Sequence, residues 1–473
     1  MRVVGRIREQ AELRKHFVSG KPEFVAIVGR RRVGKTFLVK EMFSQDITFY
    51  FSGSIGKSVS NSYQLKQFDK AIEEYGGEAL KHSSKWSDAF GKLKLLLKKN
   101  HENRQVVFID ELPWLDSPKS DFLQALDYFW NTFASGRTDI MLIICGSSAS
   151  WIIKNIFENK GGLHNRITGR IWLAPFTLAE SEEFFSEAGV IMNRYQIAEA
   201  LMVFGGIPYY LNMFEKGLGL SQNVDRLIYA SNAPLRNEFN EVYRSLFRAS
   251  DRHISIVTAL SKTKSGMTRD NIIEATQIPG GGNLTRTLKE LEQCAFMEKY
   301  SDFTRSKNGA YYRLIDPFTL FWLRYVVSNH TRDEFYWTNL IDDGGRRAWS
   351  GHAFELLCMR HLAQIKHKLG ISGISTEVFT WRSKEHKPGA QVDLLISRRD
   401  GVINLCEMKY SMHPVTLTHG DDQNLINKRV AFIAETGTRK AIHITMVTTY
   451  GLTDKGYRST VQSEVTLNDL FST

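Results

Sequence analysis

The segment from residue 29 to residue 36 reads GRRRVGKT, a spacing of glycine, lysine and threonine that suits phosphate binding. The apolar run FVAIV before it predicts a buried parallel strand, and Lys35 opens a segment with a helical pattern. Backbone N–H groups and the helix N-terminus of such a loop surround phosphate. We expect Lys35 to reach the β- and γ-phosphates of a nucleotide and Thr36 to bind Mg²⁺. The residues expected to contact the nucleotide here are Gly29, Arg30, Arg31, Arg32, Val33, Gly34, Lys35, Thr36 and Phe37.

A second apolar run, VVFI at residues 106–109, ends at the paired carboxylates Asp110 and Glu111. Carboxylates beyond the C-terminal end of a parallel strand point into the crevice where nucleotides bind. We therefore expect Asp110 to belong to the Mg²⁺ coordination shell and Glu111 to polarise the attacking water. Because both halves of the pattern are complete and in order, an accidental loop of glycines and basic residues is a poor explanation.

A separate group of charged residues lies near the C-terminus. Glu355 falls in a predicted amphipathic helix (HAFELLCMRHL), Asp393 in a strand (QVDLLIS), and Glu407 and Lys409 in the next strand (INLCEMKYS). The two-residue period of a strand places Glu407 and Lys409 on one face, where they can converge with Asp393. Asp393 and Glu407 predict a hard oxygen site for Mg²⁺ or Mn²⁺, and Glu355 could complete the metal shell. Lys409 would orient the water or stabilise developing charge.

This order of residues resembles the PD-(D/E)XK nuclease superfamily, with its helical Glu, its strand Asp and its Glu-x-Lys across a hairpin. The resemblance implies a restriction-endonuclease-like α/β fold and metal-dependent cleavage of nucleic acid. Gln423, in the helix-like stretch that follows, loosely matches a further active-site contact of RecB-like nucleases. The alternative is that these are ordinary solvated acidic and basic side chains beside strands.

The elements that carry these residues belong to a chain of 473 residues, 42% of them hydrophobic. That length predicts two to four domains instead of a single core. The formal net charge of +11 favours an acidic partner, and we expect nucleic acid, DNA in particular, because clustered Lys and Arg release counterions from phosphates. The alternative is a protein with solvated basic faces.

The cysteines and the N-terminus indicate the cellular compartment of the protein. No two cysteines form a CxxC pair, which argues against a zinc site and a disulfide framework, so we expect reduced packing residues. The N-terminus is charged from its second residue, and no apolar run approaches the length of a membrane span. We expect a cytoplasmic protein without membrane contact. The cysteines are Cys145, Cys294, Cys358 and Cys406.

The first part of the chain resembles the archaeal-type ATPases of the AAA+/STAND assemblage, which are also widespread in bacteria. The resemblance is carried, over about the first 330 residues, by VVGRIREQAEL, GRRRVGKT, FIDELPWL, CGSS, LHNRITGR followed by IWLAPF, and GGIPYYL. It implies ATP as the cofactor, with Gly5 and Arg6 near the adenine. It also implies a polar sensor near the γ-phosphate, a role for Ser147 or Ser148 after the apolar run at residues 139–145. Serines after a strand are otherwise ordinary turn or N-cap residues.

Two further elements follow from this resemblance. Arg166 matches the arginine finger, with Arg170 as the second candidate, and a finger supplied by a neighbouring subunit implies a homo-oligomer on ATP binding. Asn165 departs from the commoner Gly-Arg pair, and a surface arginine is the alternative. The segment GGIP at residues 205–208 resembles the GxP element of STAND ATPases, in which Pro208 would contact the nucleotide. A plain interhelical turn is the alternative.

Residues 253–314 predict three helices and a β-hairpin, an order that resembles a winged helix. Such a module binds DNA through its third helix and its wing, or it serves as a packing or regulatory domain. The third helix has one apolar face, at Leu284, Leu288 and Leu291, and one polar face. The polar face and the wing would present Thr285, Arg286, Lys289, Arg305 and Lys307.

Together these patterns predict an α/β P-loop NTPase with a parallel sheet (residues 1–174) and a helical lid (175–240). A winged helix (241–318), a helical linker (319–348) and a PD-(D/E)XK-like α/β domain (349–473) complete the chain. In the linker, aromatic residues are expected to pack in the core: Trp322, Tyr325, Tyr336 and Trp337. We expect an ATP-hydrolysing protein coupled to a metal-dependent nuclease or nucleic-acid-binding domain. The alternative is an ATP-controlled scaffold or a winged-helix DNA-binding regulator without nuclease activity.

Overall fold

The structure is a computed structural model that forms two compact units. One unit comprises Met1–Pro175 with Val242–Arg248, and the other comprises Phe176–Glu241 with Ala249–Thr473. The described residues are 2–54, 56, 59–78, 81–99, 103–117, 120–158, 161–163, 165–247, 249–301, 303, 310–329, 331, 333–383 and 385–472. No helix in these ranges combines the length and apolar character needed to cross a membrane.

The first unit is built on a five-stranded sheet in the order β2-β3-β4-β1-β5. Every pairing in it is parallel, and β1, β3 and β4 are buried along their full length, as their apolar runs predict. The parallel P-loop-like sheet expected from the sequence is therefore confirmed. The strands are β1 (Glu23–Gly29), β2 (Ile47–Ser52), β3 (Gln105–Asp110), β4 (Ile140–Gly146) and β5 (Gly169–Leu173).

In the described part of this unit, six α-helices accompany the sheet. An aromatic cluster of Phe68, Trp86, Phe90 and Phe122, with ring centroids 4.9 to 6.4 Å apart, joins three of them into one core. The helices are α1 (Ile7–Phe17), α2 (Lys35–Met42), α3 (Asn61–Glu74), α4 (Trp86–Lys98), α5 (Phe122–Thr132) and α6 (Ala149–Ile152).

The second unit begins with a helical region. Capping boxes start its first two helices, at Thr177 with Glu180 and at Asn193 with Gln196, since these side chains satisfy the free N–H groups of a first turn. The helices are α7 (Leu178–Ala188), α8 (Arg194–Phe204), α9 (Pro208–Leu211), α10 (Leu220–Val224) and α11 (Glu238–Leu246). The chain passes from the second unit to the first within α11, where the sequence predicted a domain boundary at residue 241.

The middle segment, residues 250–314, holds three helices and a small antiparallel sheet in the order β6-β8-β7. The leucines of its third helix are buried and Thr285, Arg286 and Lys289 are exposed, as their spacing predicts. The short strand β6 was not predicted, and Arg305 and Lys307 lie outside the described residues. The elements are α12 (Ser250–Leu260), β6 (Met267–Thr268), α13 (Arg269–Thr276), α14 (Gly282–Gln293), β7 (Met297–Tyr300) and β8 (Tyr311–Leu314).

The aromatic stretch that follows is part of the core. Trp322, Tyr325 and Trp337 are buried and Tyr336 is half-buried, so the packing role predicted for them is confirmed for the first three. Two short helices lie here, α15 (Pro317–Phe321) and α16 (Tyr336–Asn339). The next helix, α17 (Gly344–Arg360), runs through the predicted boundary between residues 348 and 349.

The C-terminal part is a mixed-sheet domain. Its main sheet has the order β15-β13-β11-β10-β9, in which β9, β10 and β11 pair antiparallel and β11, β13 and β15 pair parallel. The strands are β9 (Thr376–Arg382), β10 (Gln391–Arg398), β11 (Val402–Lys409), β12 (Val415–Leu417), β13 (Ala441–Thr448), β14 (Leu452–Gly456) and β15 (Ser463–Thr466). The helices are α18 (Leu362–Lys368) and α19 (His419–Thr436), after α17.

Candidate functional site

The phosphate loop lies between β1 and α2, and two of its glycines are required by its geometry. Gly34 caps α2 with φ +93°, a left-handed conformation that residues with a side chain rarely adopt. A Cβ atom on Gly29 would lie 2.4 Å from the carbonyl oxygen of Leu173 on the neighbouring strand β5. Gly29 is therefore required by the close approach of the β5 backbone, and Gly34 by the backbone conformation at the start of α2.

Lys35 is buried, and its ammonium group forms hydrogen bonds with the backbone of the phosphate loop. Its Nζ atom donates to the carbonyl oxygens of Gly29 and Arg30, each at 3.0 Å, and to the hydroxyl of Ser147 at 3.4 Å. A buried ammonium group held by neutral acceptors keeps its positive charge available for a stronger anionic partner. The loop therefore presents a fixed cation at the C-terminal end of β1.

Thr36 and Asp110 connect the start of α2 to the end of β3. The Thr36 hydroxyl donates to the Asp110 carboxylate at 2.6 Å, and Asp110 also accepts from the backbone N–H of Glu111 at 2.7 Å. Glu111 adopts φ 47°, a left-handed conformation that costs free energy in a residue with a side chain and is concentrated at functional sites. The two carboxylates of the acidic pair thereby point in different directions.

Ser147 links the cation to the second carboxylate. Its backbone N–H donates to Glu111 at 3.2 Å, its hydroxyl donates to the same carboxylate, and it accepts from Lys35. Ser148 instead lies 3.4 Å from the hydroxyl of Ser150, at the start of α6. Of the two serines predicted as alternatives, the structure places Ser147 in this cluster.

Two groups respond to the charge of Asp110, the buried Cys145 and the half-buried Tyr50, and neither role was predicted from the sequence. Cys145, at the end of β4, donates from its thiol to Asp110, and burial followed by the Asp110 charge raises the thiol pKa well above its usual range. Burial and then Asp110 also raise the pKa of Tyr50 to about 12. Both groups stay neutral near pH 7, so neither adds a second negative charge beside the carboxylate.

The opening box contacts the phosphate loop. Arg6 is buried, adopts φ 54°, and has Nη2 3.5 Å from the carbonyl oxygen of Val33. Gly5 also has a positive φ, and its carbonyl oxygen accepts from Gln10 at 2.7 Å. The remaining predicted loop residues vary in exposure: Arg30 and Val33 are buried, Arg31 and Arg32 are half-buried, and Phe37 is 39% exposed.

The two candidate arginines are both exposed. Arg166 follows Asn165, which adopts φ 59°, and the backbone N–H of Arg166 donates to Leu163 at 3.1 Å. Arg170 lies in β5 with its guanidinium 4.6 Å from the centroid of the Phe157 ring. A cation over an aromatic face is a packing role, which leaves Arg166 as the better placed of the two for a partner.

The GGIP segment lies in the second unit, where Pro208 is the first residue of α9. The carbonyl oxygen of Gly206 accepts from Phe176 at 2.7 Å, and that of Gly205 accepts from Arg360 of α17 at 3.0 Å. A proline in the first turn of a helix has its ordinary local role. Within this unit, the segment therefore ties the helical region to the helix that carries Glu355.

The C-terminal residues lie on α17, β10 and β11, as the sequence predicts, but each has its own protein partner. Glu355 contacts His352 at 3.2 Å, and Asp393 accepts from Gln391 at 2.7 Å. Glu407 accepts from Lys428 of α19 at 2.5 Å. The side chains expected to share one centre are engaged in three separate contacts.

Lys409 also has a partner on α19, since its Nζ atom donates to Asp421. This contact and burial act in opposite directions on Asp421, and the pKa of Asp421 falls to about 2. The sequence analysis did not identify Asp421 or Lys428. Gln423, which it named as a further active-site contact, is exposed. The spacing could have identified the two missed residues, because residues 421, 425 and 428 share one helical face and Leu425 is buried.

The C-terminal metal shell of Glu355, Asp393 and Glu407 stays a prediction. Among the described residues, no three His, Cys, Asp or Glu side chains form a group that could hold a metal ion. Glu407 is instead paired with Lys428, and Lys409 with Asp421.

One protein family and one relative match this chain. Residues 3–214 match a protein family described as an ATPase domain predominantly from Archaea. An uncharacterized protein of Methanocaldococcus jannaschii is 26% identical over 336 residues, which are 69% of this chain and 69% of that relative.

Two solved structures are similar to part of this chain. A Walker-type ATPase of Pyrococcus abyssi has 18% identity and a TM-score of 0.48, over 68% of this chain and 96% of that chain. The ORC2 protein of Aeropyrum pernix has 13% identity and a TM-score of 0.42, over 71% of this chain and 96% of that chain. The phosphate loop described above lies inside residues 3–214, the segment that matches the predominantly archaeal family of ATPase domains.

Proposed function

We propose that this protein hydrolyses ATP, with Glu111 as the residue that activates the attacking water. The observation that carries the proposal is the hydrogen-bonded series in which Lys35, Ser147 and Glu111 lie at the C-terminal ends of neighbouring strands. Phosphoryl transfer depends mainly on positioning and electrostatic stabilisation, and both are supplied by a fixed cation and an oriented carboxylate.

The residues around Thr36 fit a nucleotide with Mg²⁺. The Thr36 hydroxyl and the Asp110 carboxylate are hard oxygen ligands, already 2.6 Å apart, of the kind that Mg²⁺ prefers. When bound, the ion would neutralise charge on the phosphates. Lys35 would exchange the two loop carbonyls for phosphate oxygens, and Ser147 would keep Glu111 oriented towards the γ-phosphate.

Substitution of Glu111 by Gln tests this proposal. Glu111→Gln keeps the size of the side chain and one oxygen that can accept from the Ser147 N–H but removes the base, so ATP turnover should fall about 10²- to 10⁴-fold while ATP binding persists. Glu73→Gln, at an exposed position of α3, is the matched control and should keep full turnover. Turnover by Glu111→Gln equal to that of the wild type would show that another group is the base.

A second candidate function concerns the C-terminal domain, which we propose acts on nucleic acid. It is supported by the order of elements that follows α17 and α18. The antiparallel strands β9, β10 and β11 form a meander, and the chain then passes through β12 and α19 to β13, which pairs parallel with β11. This order agrees with the nuclease-like core that the positions of Asp393, Glu407 and Lys409 imply. The basic charge of the chain agrees with a phosphodiester substrate.

A cleavage assay decides between a nuclease and a domain that only binds. Single- and double-stranded DNA and RNA are incubated with the full-length chain in Mg²⁺, in Mn²⁺ and in EDTA, with and without ATP. The nuclease proposal expects cleavage that Asp393→Asn and Lys409→Ala remove and that the exposed controls Asp454→Asn and Lys455→Ala retain. Intact substrates under every condition, with ATP turnover preserved, favour an ATP-controlled scaffold.

A further inference from the structure

A cleft of about 100 Å³ lies in the second unit, between the middle segment and the edge of the C-terminal sheet. One wall is formed by Tyr300 of β7 and Tyr311 of β8, and the other by Trp381 and Arg382 of β9. The two walls are joined where the backbone N–H of Phe303 donates to Thr380 at 3.1 Å. The cleft is therefore a feature of how two parts of one compact unit pack.

The charge of the lining favours an anion. Lys264 and Arg382 are exposed at the cleft, and Arg313 lines it from a buried position, where it donates to Glu298 at 3.0 Å. Asp393 is the one acidic residue among the described lining residues. Lysine and arginine side chains in a partly enclosed space attract phosphate groups and release their counterions.

The aromatic lining favours a planar ligand. The Tyr300 and Tyr311 rings are stacked, with centroids 5.7 Å apart and an angle of 25° between their planes. Across the cleft, Trp381 is 1% exposed, and among the described residues its indole N–H has no hydrogen-bond acceptor. A buried donor without an acceptor costs free energy, which a ligand with a suitable oxygen or nitrogen would recover.

We propose that this cleft binds a segment of single-stranded nucleic acid. Phosphates lie at Lys264 and Arg382, bases pack against the tyrosine pair, and the strand leads towards Asp393. A cleft of about 100 Å³ does not enclose a duplex, whereas an unpaired strand offers both phosphates and ring faces. The inference rests on the nucleic-acid function proposed for the C-terminal domain, but strand binding is separable from cleavage.

Fluorescence anisotropy of labelled oligo(dT) and oligo(U), with full-length protein in EDTA, measures binding without cleavage. We expect Lys264→Ala and Arg382→Ala each to weaken binding about tenfold and to lower the slope of log affinity against log salt by about 0.7. Lys262→Ala and Arg399→Ala are matched exposed controls outside the lining and should change neither quantity.

Two further variants test the aromatic walls. Trp381→Phe keeps a buried ring but removes the indole N–H, and Tyr311→Ala removes one stacking surface, so both should weaken binding, the second about tenfold. Thermal unfolding midpoints separate a lost contact from a lost fold, and Tyr311→Phe, which keeps the ring, should bind like the wild type.

Equal losses in Lys264→Ala and Lys262→Ala would overturn the inference. So would tighter binding of duplex than of single strand that disappears in Arg286→Ala, because that result would place the nucleic acid on α14. These outcomes do not depend on the ATPase proposal, which Glu111→Gln tests. Strand binding by the wild type, without cleavage in Mg²⁺ or Mn²⁺, would support the cleft and count against the nuclease.

Discussion

The Thr36 hydroxyl donates a 2.6 Å hydrogen bond to the Asp110 carboxylate, although 74 residues separate them in the chain. This contact joins the first turn of α2 to the end of β3, so the phosphate loop and the acidic strand end form one site. Ser147 extends the site to β4 through Lys35 and Glu111. The predictions below test the parts of this site and one buried histidine of the second unit.

Lys35→Ala removes the fixed cation of the phosphate loop. ATP turnover should fall about 10²- to 10³-fold, since one preorganised charge at a reacting phosphate contributes that much, and ATP binding should weaken. Turnover and fluorescent-nucleotide binding are measured beside Lys15→Ala, at an exposed position of α1. Wild-type turnover in Lys35→Ala would show that ATP is hydrolysed elsewhere.

Ser147→Ala removes the hydroxyl that contacts both Lys35 and Glu111 but leaves the backbone N–H that donates to Glu111. A hydrogen bond to a charged group is worth about 1.5 to 3 kcal/mol, so turnover should fall about ten- to a hundredfold. Ser148→Ala is the matched neighbour and should retain turnover. The opposite ranking of the two variants would move the sensor role to Ser148.

Arg166 is expected to act on the site of a neighbouring subunit. Arg166→Ala should lower ATP turnover about 10³-fold. Lys35→Ala is the complementary variant, since it has a defective phosphate loop but an intact Arg166. An equimolar mixture of the two variants should therefore turn over more ATP than the sum of its parts. Arg170→Ala, which loses only its packing on Phe157, should resemble the wild type. A mixture no better than its parts argues for action within one chain or for a surface role.

His361 predicts a loss of stability in acid. Its Nδ1 atom contacts the Leu357 carbonyl at 2.8 Å, its Nε2 atom accepts from Leu178 at 3.0 Å, and burial lowers its pKa to about 4. In the unfolded chain a histidine pKa is about 6.5, so protonation favours unfolding. Stability contributed by the neutral ring is complete above about pH 6.5 and decreases towards pH 4, by about 3 kcal/mol in total.

Urea unfolding at a series of pH values measures this effect on the second unit. His361→Gln cannot titrate, so its free energy of unfolding should lack the part of the acid-induced decrease that the wild type shows between about pH 6.5 and 4. The exposed His367→Gln is the control and should follow the wild type. Identical pH dependence in all three proteins would mean that His361 becomes protonated without unfolding.

Local sequence was enough for the strands and the phosphate loop. The apolar runs at β1, β3 and β4 predicted buried strands through their short length and the turn residues that follow them, and the glycine loop before Lys35 predicted the phosphate loop. The helix–strand–strand placement of Glu355, Asp393 and Glu407 also followed from periodicity. These features depend on neighbours within a few residues, which the sequence states directly.

The neighbours of each strand end were decided by the tertiary structure. Ser147 reaches Lys35 because β4 pairs with β1 on one side and β3 on the other, across 112 residues of chain. In the C-terminal domain, α19 brings Lys428 to Glu407 and Asp421 to Lys409, and periodicity within β11 indicated neither ion pair. Periodicity gives the face on which a charge lies, whereas long-range packing decides which opposite charge meets it.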